Sequence, residues 1–231
     1  MKEMLLQAYR HSIECYCRYP ALVSHAQNQP KQVHIHLLAI GKAAWQMASI
    51  YSGELNQTGI AYSGFVLTKY GHAPSAIPYL QIREAGHPFP DQNSIDHTRE
   101  IISWLHTLEK TDHLIVLLSG GSSALFERLP PSIGLEEFVL QTKALMDRGT
   151  AIDKMNSWRK QLSLVKGGKA LSAVPCESID VLAISDVDEN KPSLIGSGPF
   201  TPLKSELLFQ STSECMDNTC PAEYLYHTKT I

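Results

Sequence analysis

Hydrophobic positions along the chain fall into two kinds of segment, and these alternate. Short aliphatic runs bounded by polar residues are typical of strands buried on both faces of a sheet. Longer segments with apolar residues at helical spacing predict amphipathic helices. The predicted strands are 33–40, 64–68, 80–85, 113–118 and 179–184, and the predicted helices are 2–18, 42–55, 94–108, 135–148 and 153–164. This order predicts an α/β fold with a mainly parallel sheet and helices on both faces.

Composition narrows the class of protein. The chain has 231 residues, of which 43% are hydrophobic and 19% charged, and its net charge is −3. These values predict a soluble globular protein without the basic surface of a nucleic-acid binder, and no apolar run approaches the ~18 residues of a membrane span. The N-terminus lacks the pattern of a secretory signal, and the five cysteines include no CxxC pair. A cytoplasmic protein with reduced thiols is therefore expected.

Local signals mark the ends of two segments. Asp91 or Asn93 is predicted to cap the helix 94–108. After Pro202 the sequence becomes polar and loses any period, which predicts an irregular tail over 203–231. The structured domain is expected to span 1–202.

An acidic residue and a glycine-rich loop follow the run 179–184. Asp186 stands just beyond the carboxyl end of that predicted strand, where parallel α/β sheets bind their ligands. The loop Gly196-Ser197-Gly198 could bring backbone N–H groups to an anion. Asp186 is a candidate catalytic carboxylate, and the alternative is that it only caps a turn.

Gly41 and Lys42 follow the first predicted strand and open a helix. A helix N-terminus attracts anions, and the lysine adds a full positive charge toward a phosphate or a carboxylate. The segment is not a Walker A loop, because His36 stands where the upstream glycine is required. The alternative is an ordinary surface lysine, although a cation in a first helical turn is electrostatically unfavourable.

The turn Ser119-Gly120-Gly121-Ser122-Ser123 lies between a predicted strand and a possible helix, and three interpretations compete. It could cradle a phosphate with N–H groups and hydroxyls, it could be a degenerate nucleophile elbow, or it could be only a tight turn. The elbow needs a histidine downstream, and His227 is the only histidine after Ser122.

Basic residues concentrate before the last predicted strand. Arg159 could form a two-pronged contact with a carboxylate or phosphate, and Lys166 and Lys169 could contribute to the same positive field. The alternative is a solvated helix face. His87 lies in a proline-stiffened loop, but no second histidine follows at metal-ligand spacing, so no metal site is predicted from it.

Taken together, these motifs resemble the glycerate 2-kinase family, the type II glycerate kinases, whose members are also labelled hydroxypyruvate reductases. The matching segments occur in the family's order over residues 41 to 199. They are GKAA at 41–44, GHPFPD at 86–91, SGGSSAL at 119–125, DKMN at 153–156 with Arg159 and Lys160, LS at 162–163, KGG at 166–168, SDV at 185–187 and GSGP at 196–199.

The resemblance implies a Rossmann-like N-terminal domain and ATP-dependent phosphorylation of D-glycerate at its 2-hydroxyl. It implies that Lys42 contacts phosphate and that Asp186 acts in catalysis, and it places Arg159 in the family's Asn-x-x-Arg-Lys pattern. Phosphoryl transfer depends on positioning and charge neutralisation, which Lys42, the turn at 119–123 and Mg²⁺ could supply. Asp186 could accept the hydroxyl proton or help to hold the metal, and Arg159 could anchor the substrate carboxylate.

The sequence departs from the family pattern in three places. Ser122 stands where the family has a further glycine, which matters if that position needs a positive φ. Glu189-Asn190 replaces a Gly-Asp pair. The family's second domain, which completes the active-site cleft, is not found in these residues, so a second copy or a complementing chain could be needed.

Three hypotheses follow. The first is a glycerate 2-kinase, impaired if the cleft stays open to water. The second is a non-catalytic remnant or truncated isoform that only binds nucleotide. The third is a nicotinamide-dependent hydroxypyruvate reductase, which is disfavoured because no G-x-G-x-x-G follows the first strand.

Overall fold

A computed structural model describes residues 19–184, 193–201, 208–211 and 223–228. These residues form one seven-stranded sheet in the order β3-β2-β1-β4-β5-β7-β6. The first five strands are parallel to one another, and β7 and β6 continue the sheet in antiparallel pairing. The strands are β1 Ile35–Ile40, β2 Tyr62–Lys69, β3 Leu80–Ala85, β4 His113–Leu118, β5 Ser178–Ile184, β6 Leu208–Ser211 and β7 Glu223–Thr228.

α-Helices precede β1 and lie between β1 and β2, between β3 and β4, and between β4 and β5. They are α1 Pro20–Gln27, α2 Ala44–Thr58, α3 Gln92–Leu105, the short α4 Ser122–Leu125, α5 Leu135–Asp147 and α6 Ile152–Leu162, with 3₁₀ helices at Lys169–Ala173 and Ile195–Ser197. In the part of the chain that the structure describes, none of these helices has the length and apolar character needed to cross a bilayer.

Two apolar cores lie on opposite faces of the sheet. Leu38 and Ile40 of β1 pack with Ile101 of α3 on one face, whereas Leu37 and Met47 belong to the core formed with α1 and α2 on the other. Consecutive residues of a strand point to opposite faces, so an unbroken aliphatic run is what a strand covered on both faces requires. The predicted α/β fold with helices on both faces is confirmed.

The end of the chain differs from the expectation. The prediction of an irregular segment over 203–231 is wrong at β6 and β7, which extend the sheet beyond β5. The predicted helix 2–18 lies outside the described residues. The predicted strands 80–85 and 113–118 have the observed bounds, and the other shared elements differ at their ends.

Candidate active site at the carboxyl edge of the sheet

The strand order creates a crevice between β1 and β4. From β1 the chain proceeds to β2 and β3 on one side, and it then returns to the other side of β1 to form β4 and β5. Ile40 and Leu118 are paired in register, so β1 and β4 end at the same level. Ligands of open α/β sheets bind outside such a switch point, where the two following turns diverge.

The turns after β1 and β4 are tightly joined. Gly41 has a φ of +130°, and a Cβ there would lie 2.6 Å from the Ser119 carbonyl oxygen. The Lys42 N–H donates to the Gly120 carbonyl over 2.9 Å, and the Ala43 N–H donates to Ser119 Oγ over 3.1 Å. Only glycine permits this approach, which places the Lys42 backbone directly against the β4 turn.

Lys42 is exposed, and its ammonium makes no hydrogen bond or ion pair with another described residue. Its side chain crosses the β4 turn, because a Cβ added to Gly121 would lie 2.9 Å from Lys42 Cγ. The same Cβ would lie 3.0 Å from His87 Nε2. The structure therefore brings Lys42, Gly121 and His87 together at the mouth of the crevice.

The β4 turn keeps backbone donors available. Among the described residues, no acceptor is found for the N–H groups of Gly120 and Gly121. Ser122 begins α4 and does not have a positive φ, so serine fits at this position without backbone strain. Its side chain is buried, and a Cβ on Gly196 would meet its Oγ, so Ser122 packs against the glycine loop.

The register of β7 excludes the nucleophile elbow. His227 pairs with Asp180, four residues before the carboxyl end of β5 at Ile184. At ~3.3 Å per residue this is roughly 13 Å along the strand from the edge that carries Ser122. A general base for Ser122 would have to lie within hydrogen-bonding reach of it.

The loop Gly196-Ser197-Gly198 packs on the β4 turn, but two of its three predicted N–H groups are used within the loop. The N–H groups of Ser197 and Gly198 donate to the carbonyls of Leu194 and Ile195 over 3.1 and 2.9 Å. The prediction that these amides bind an anion is therefore wrong for Ser197 and Gly198. The loop contributes a hydroxyl instead, since Ser197 Oγ lies 3.0 Å from Ser123 Oγ.

Arg159 is placed close to this loop by α6. Asn156, one helical turn earlier, accepts a hydrogen bond from Ser197 Oγ over 3.3 Å. Arg159 is only 9% exposed, and its guanidinium has no hydrogen-bond partner within the described ranges. Burial lowers the pKa of Arg159, and the Glu127 carboxylate opposes that shift. A buried guanidinium without a partner is unfavourable unless a ligand supplies the acceptor.

Glu127 does not supply that acceptor, because no hydrogen bond or ion pair joins its carboxylate to Arg159, and its oxygens contact other groups. Oε2 accepts from Lys166 Nζ over 2.5 Å, and Oε1 accepts from the Arg128 N–H over 3.0 Å. Glu127 and Lys166 are both completely buried, and burial lowers the pKa of Lys166 despite the attraction of Glu127. Lys169 donates to two backbone carbonyls. The interpretation of these lysines as a solvated helix face is wrong for Lys166, and Lys166 is not available to a ligand.

Asp186 itself lies outside the described residues. Ile184, two residues earlier, ends β5 at the edge that carries Lys42 and Ser119. The spatial relation of Asp186 to Lys42 therefore stays a prediction. Glu127 was missed by sequence reasoning, because its ion-pair partner is 39 residues away and neither residue follows a recognisable spacing.

Comparison with known proteins supplies a family. A family model described as a domain of unknown function, DUF4147, matches residues 4–219. The D-glycerate 2-kinase of Thermotoga maritima is 41% identical over 166 residues, which cover 72% of this chain and 39% of that protein. The glycerate 2-kinase of Pyrococcus horikoshii is 38% identical over 165 residues, covering 71% of this chain and 36% of that protein.

A solved structure extends the agreement to the fold. The crystal structure of glycerate kinase from Thermotoga maritima gives a TM-score of 0.74 at 37% identity, and the match covers 87% of this chain and 48% of that one. The chain spans less than half the length of these relatives. The resemblance deduced from the motifs is confirmed: the chain belongs to the DUF4147 family, in which its relatives include glycerate 2-kinases.

Proposed function

We propose that this protein transfers the γ-phosphoryl group of ATP to the 2-hydroxyl of D-glycerate, giving ADP and 2-phosphoglycerate. The names of the relatives support this reaction. The observation that carries it is the presence of two cations, Lys42 exposed at the β1–β4 crevice and Arg159 buried on α6, whose charged groups have no partner among the described residues. The two cations suit a reaction between a phosphate and a small carboxylic acid.

The phosphate end of the site is formed by the two joined turns. Lys42 neutralises charge on the transferring phosphoryl group, and the N–H groups of Gly120 and Gly121 donate to its oxygens. The bond from the γ-phosphorus to the bridging oxygen of ADP breaks, and a bond to the glycerate 2-oxygen forms. Asp186 accepts the proton that leaves the 2-hydroxyl.

The substrate end is formed by α6. The Arg159 guanidinium binds the glycerate carboxylate with two parallel N–H···O bonds, the geometry that a planar fork favours. Because Glu127 contacts Lys166 and Arg128, and no described residue accepts from the Arg159 guanidinium, the Arg159 donors are assigned to the ligand. Its burial strengthens the attraction, since the local dielectric constant is low.

ATP and Mg²⁺ are the cofactors expected of this chemistry. The described part of the chain contains no group of three or more His, Cys, Asp or Glu side chains that could hold a metal ion. We therefore assign no described residue as a ligand of the ion. When bound, Mg²⁺ would neutralise charge on the nucleotide phosphates.

The test is ATP consumption with D-glycerate, with the phosphate position of the product determined by ³¹P NMR. Lys42→Met and Asp186→Asn are expected to lower kcat/KM by about 100-fold or more, because each removes a group that acts on the reacting atoms. Lys31→Met is the matched control, since Lys31 is an exposed lysine before β1, outside the site. Equal activity of the Lys42 and Lys31 variants would contradict the assignment.

Three further measurements test the alternative functions and the assembly of the protein. Calorimetry with ATP identifies a protein that binds nucleotide without turnover, the outcome expected of a non-catalytic remnant. NADH oxidation with hydroxypyruvate identifies a reductase. Size-exclusion chromatography of the assayed sample shows whether a second copy accompanies activity.

A further inference from the structure

The Ser123 hydroxyl belongs to a directed chain of hydrogen bonds. Ser197 Oγ donates to Asn156 Oδ1 over 3.3 Å, and Ser123 Oγ lies 3.0 Å from Ser197 Oγ. A serine hydroxyl carries one proton and can donate only once. Either hydroxyl could donate between the two serines by distance alone, and the bond from Ser197 to Asn156 assigns the donor role to Ser123.

Ser197 is held rigidly enough to maintain this direction. It is completely buried and has a φ of 64°, a conformation that L-residues adopt only at some energetic cost. Its carbonyl accepts from the Gly167 N–H over 2.9 Å, which fixes the loop from a second side. Glycine flanks Ser197 on both sides at similar φ, so the serine at this position supplies a hydroxyl where the backbone would favour glycine.

The consequence concerns what Ser123 can offer a ligand. Its side chain is only half-buried, and its remaining capacity consists of lone pairs. Lone pairs repel the oxygens of a phosphate or carboxylate, but they accept a hydrogen bond from a hydroxyl. Asn156 and Arg159 are one helical turn apart on α6, so this acceptor lies near the cation that binds the carboxylate.

We propose that Ser123 is a specificity-determining residue that accepts a hydrogen bond from the non-reacting 3-hydroxyl of D-glycerate. This inference rests on the proposed function and adds a selection rule to it: the site takes a 2-hydroxy acid with a second hydroxyl in preference to one with a methyl group there. Ser123 acts on the acid and not on ATP.

The experiment removes the Ser123 hydroxyl and the substrate 3-hydroxyl, separately and together, and compares the effects on kcat/KM. The full chain and its Ser123→Ala and Ser123→Thr variants are assayed with ATP and either D-glycerate or D-lactate, which lacks only the 3-hydroxyl. Ser123→Ala is expected to lower kcat/KM for D-glycerate by about 10-fold and to leave that for D-lactate within about twofold, since one neutral hydrogen bond is lost. Ser123→Thr keeps the hydroxyl and is expected to keep the preference.

The 3-fluoro analogue of the same configuration tests the direction of the hydrogen bond. Fluorine can accept but not donate, so the analogue is expected to react as poorly as D-lactate with wild-type protein. If it reacts as well as D-glycerate, Ser123 is a donor and the inference is wrong. An equal loss for D-glycerate and D-lactate in Ser123→Ala overturns it as well, because the side chain would then act on ATP or on the fold. Absence of turnover by folded wild-type protein would reject the proposed function itself, and the selection rule with it.

Discussion

Replacing Gly121 with alanine tests whether the β4 turn sets the position of Lys42. Gly121 has a φ of +90°, so alanine there carries a backbone penalty of about 1–2 kcal/mol. The added Cβ would also lie 2.9 Å from Lys42 Cγ and 3.0 Å from His87 Nε2. Carbon atoms in favourable contact are about 3.5–4.0 Å apart, so both side chains must move by about 0.5–1 Å.

Gly71→Ala provides the matched control. Gly71 has a φ of +75°, and a Cβ there would meet nothing within 4 Å. Both variants are therefore expected to lose about 1–2 kcal/mol of unfolding free energy, measured by urea denaturation. Only Gly121→Ala is expected to lose kcat/KM in the ATP and D-glycerate assay, by about 100-fold, because misplacing a catalytic group by about 1 Å has an effect of that size.

Urea denaturation reports the backbone strain at the new alanine, and the kinetic assay reports the displacement of Lys42. If Gly121→Ala loses the expected stability but keeps the wild-type kcat/KM, the position of Lys42 relative to the β4 turn is irrelevant to the reaction. If both variants lose activity equally, the effect arises from the backbone penalty alone.

Three other predictions concern the rest of the fold. Lys166→Met is expected to lower the unfolding free energy, measured in urea, by about 3–5 kcal/mol, because it leaves the buried Glu127 carboxylate without its cation. The double variant Lys166→Met with Glu127→Gln should recover much of that loss. A loss below about 1 kcal/mol in Lys166→Met would contradict the argument that the buried carboxylate needs its partner. Burial lowers the pKa of His36 in the folded protein, so as the pH falls His36 is protonated in the unfolded state before it is protonated in the folded state, and stability should decrease below pH 6.5. Urea midpoints measured from pH 7 to 5 should fall less steeply for His36→Gln than for the wild type. An unchanged slope would exclude His36 as the cause. Burial raises the pKa of Cys176 to about 11, so iodoacetamide at pH 8 should leave its peptide unmodified in the folded protein and label it in urea, as peptide mass spectrometry would show.

The parts of the fold that sequence predicted are those determined locally. An aliphatic run such as 113–118 has the same strand bounds in the structure, because its periodicity and flanking polar residues suffice. Asp91 caps α3 as predicted, accepting from the Ser94 N–H while its own N–H donates to Ser94 Oγ. β6 and β7 were not predicted, because short strands at an edge depend on a partner that is distant in the sequence.

In the candidate site, too, sequence predicted the features that depend on local residues and missed those that depend on distant partners. Gly41 and Lys42 could be identified from a glycine after a strand, since this pattern reflects a local turn. The hydrogen-bond chain from Ser123 through Ser197 joins residues 74 positions apart, and no spacing indicates it. The backbone N–H groups of the 196–198 loop were assigned to a ligand from composition alone, whereas the folded loop uses two of them internally.

The Arg159 guanidinium, which is buried and has no partner in the described part of the chain, has a consequence for laboratory evolution. A buried charge without an acceptor is expected to lower the melting temperature of the ligand-free protein, and apolar replacements such as Arg159→Leu or Arg159→Met are expected to raise it. A library screened only for survival of heating would therefore enrich such replacements and lose the acid-binding function together with the arginine. Screening in the presence of D-glycerate would reverse this bias, because the bound carboxylate turns the same arginine into a stabilising residue.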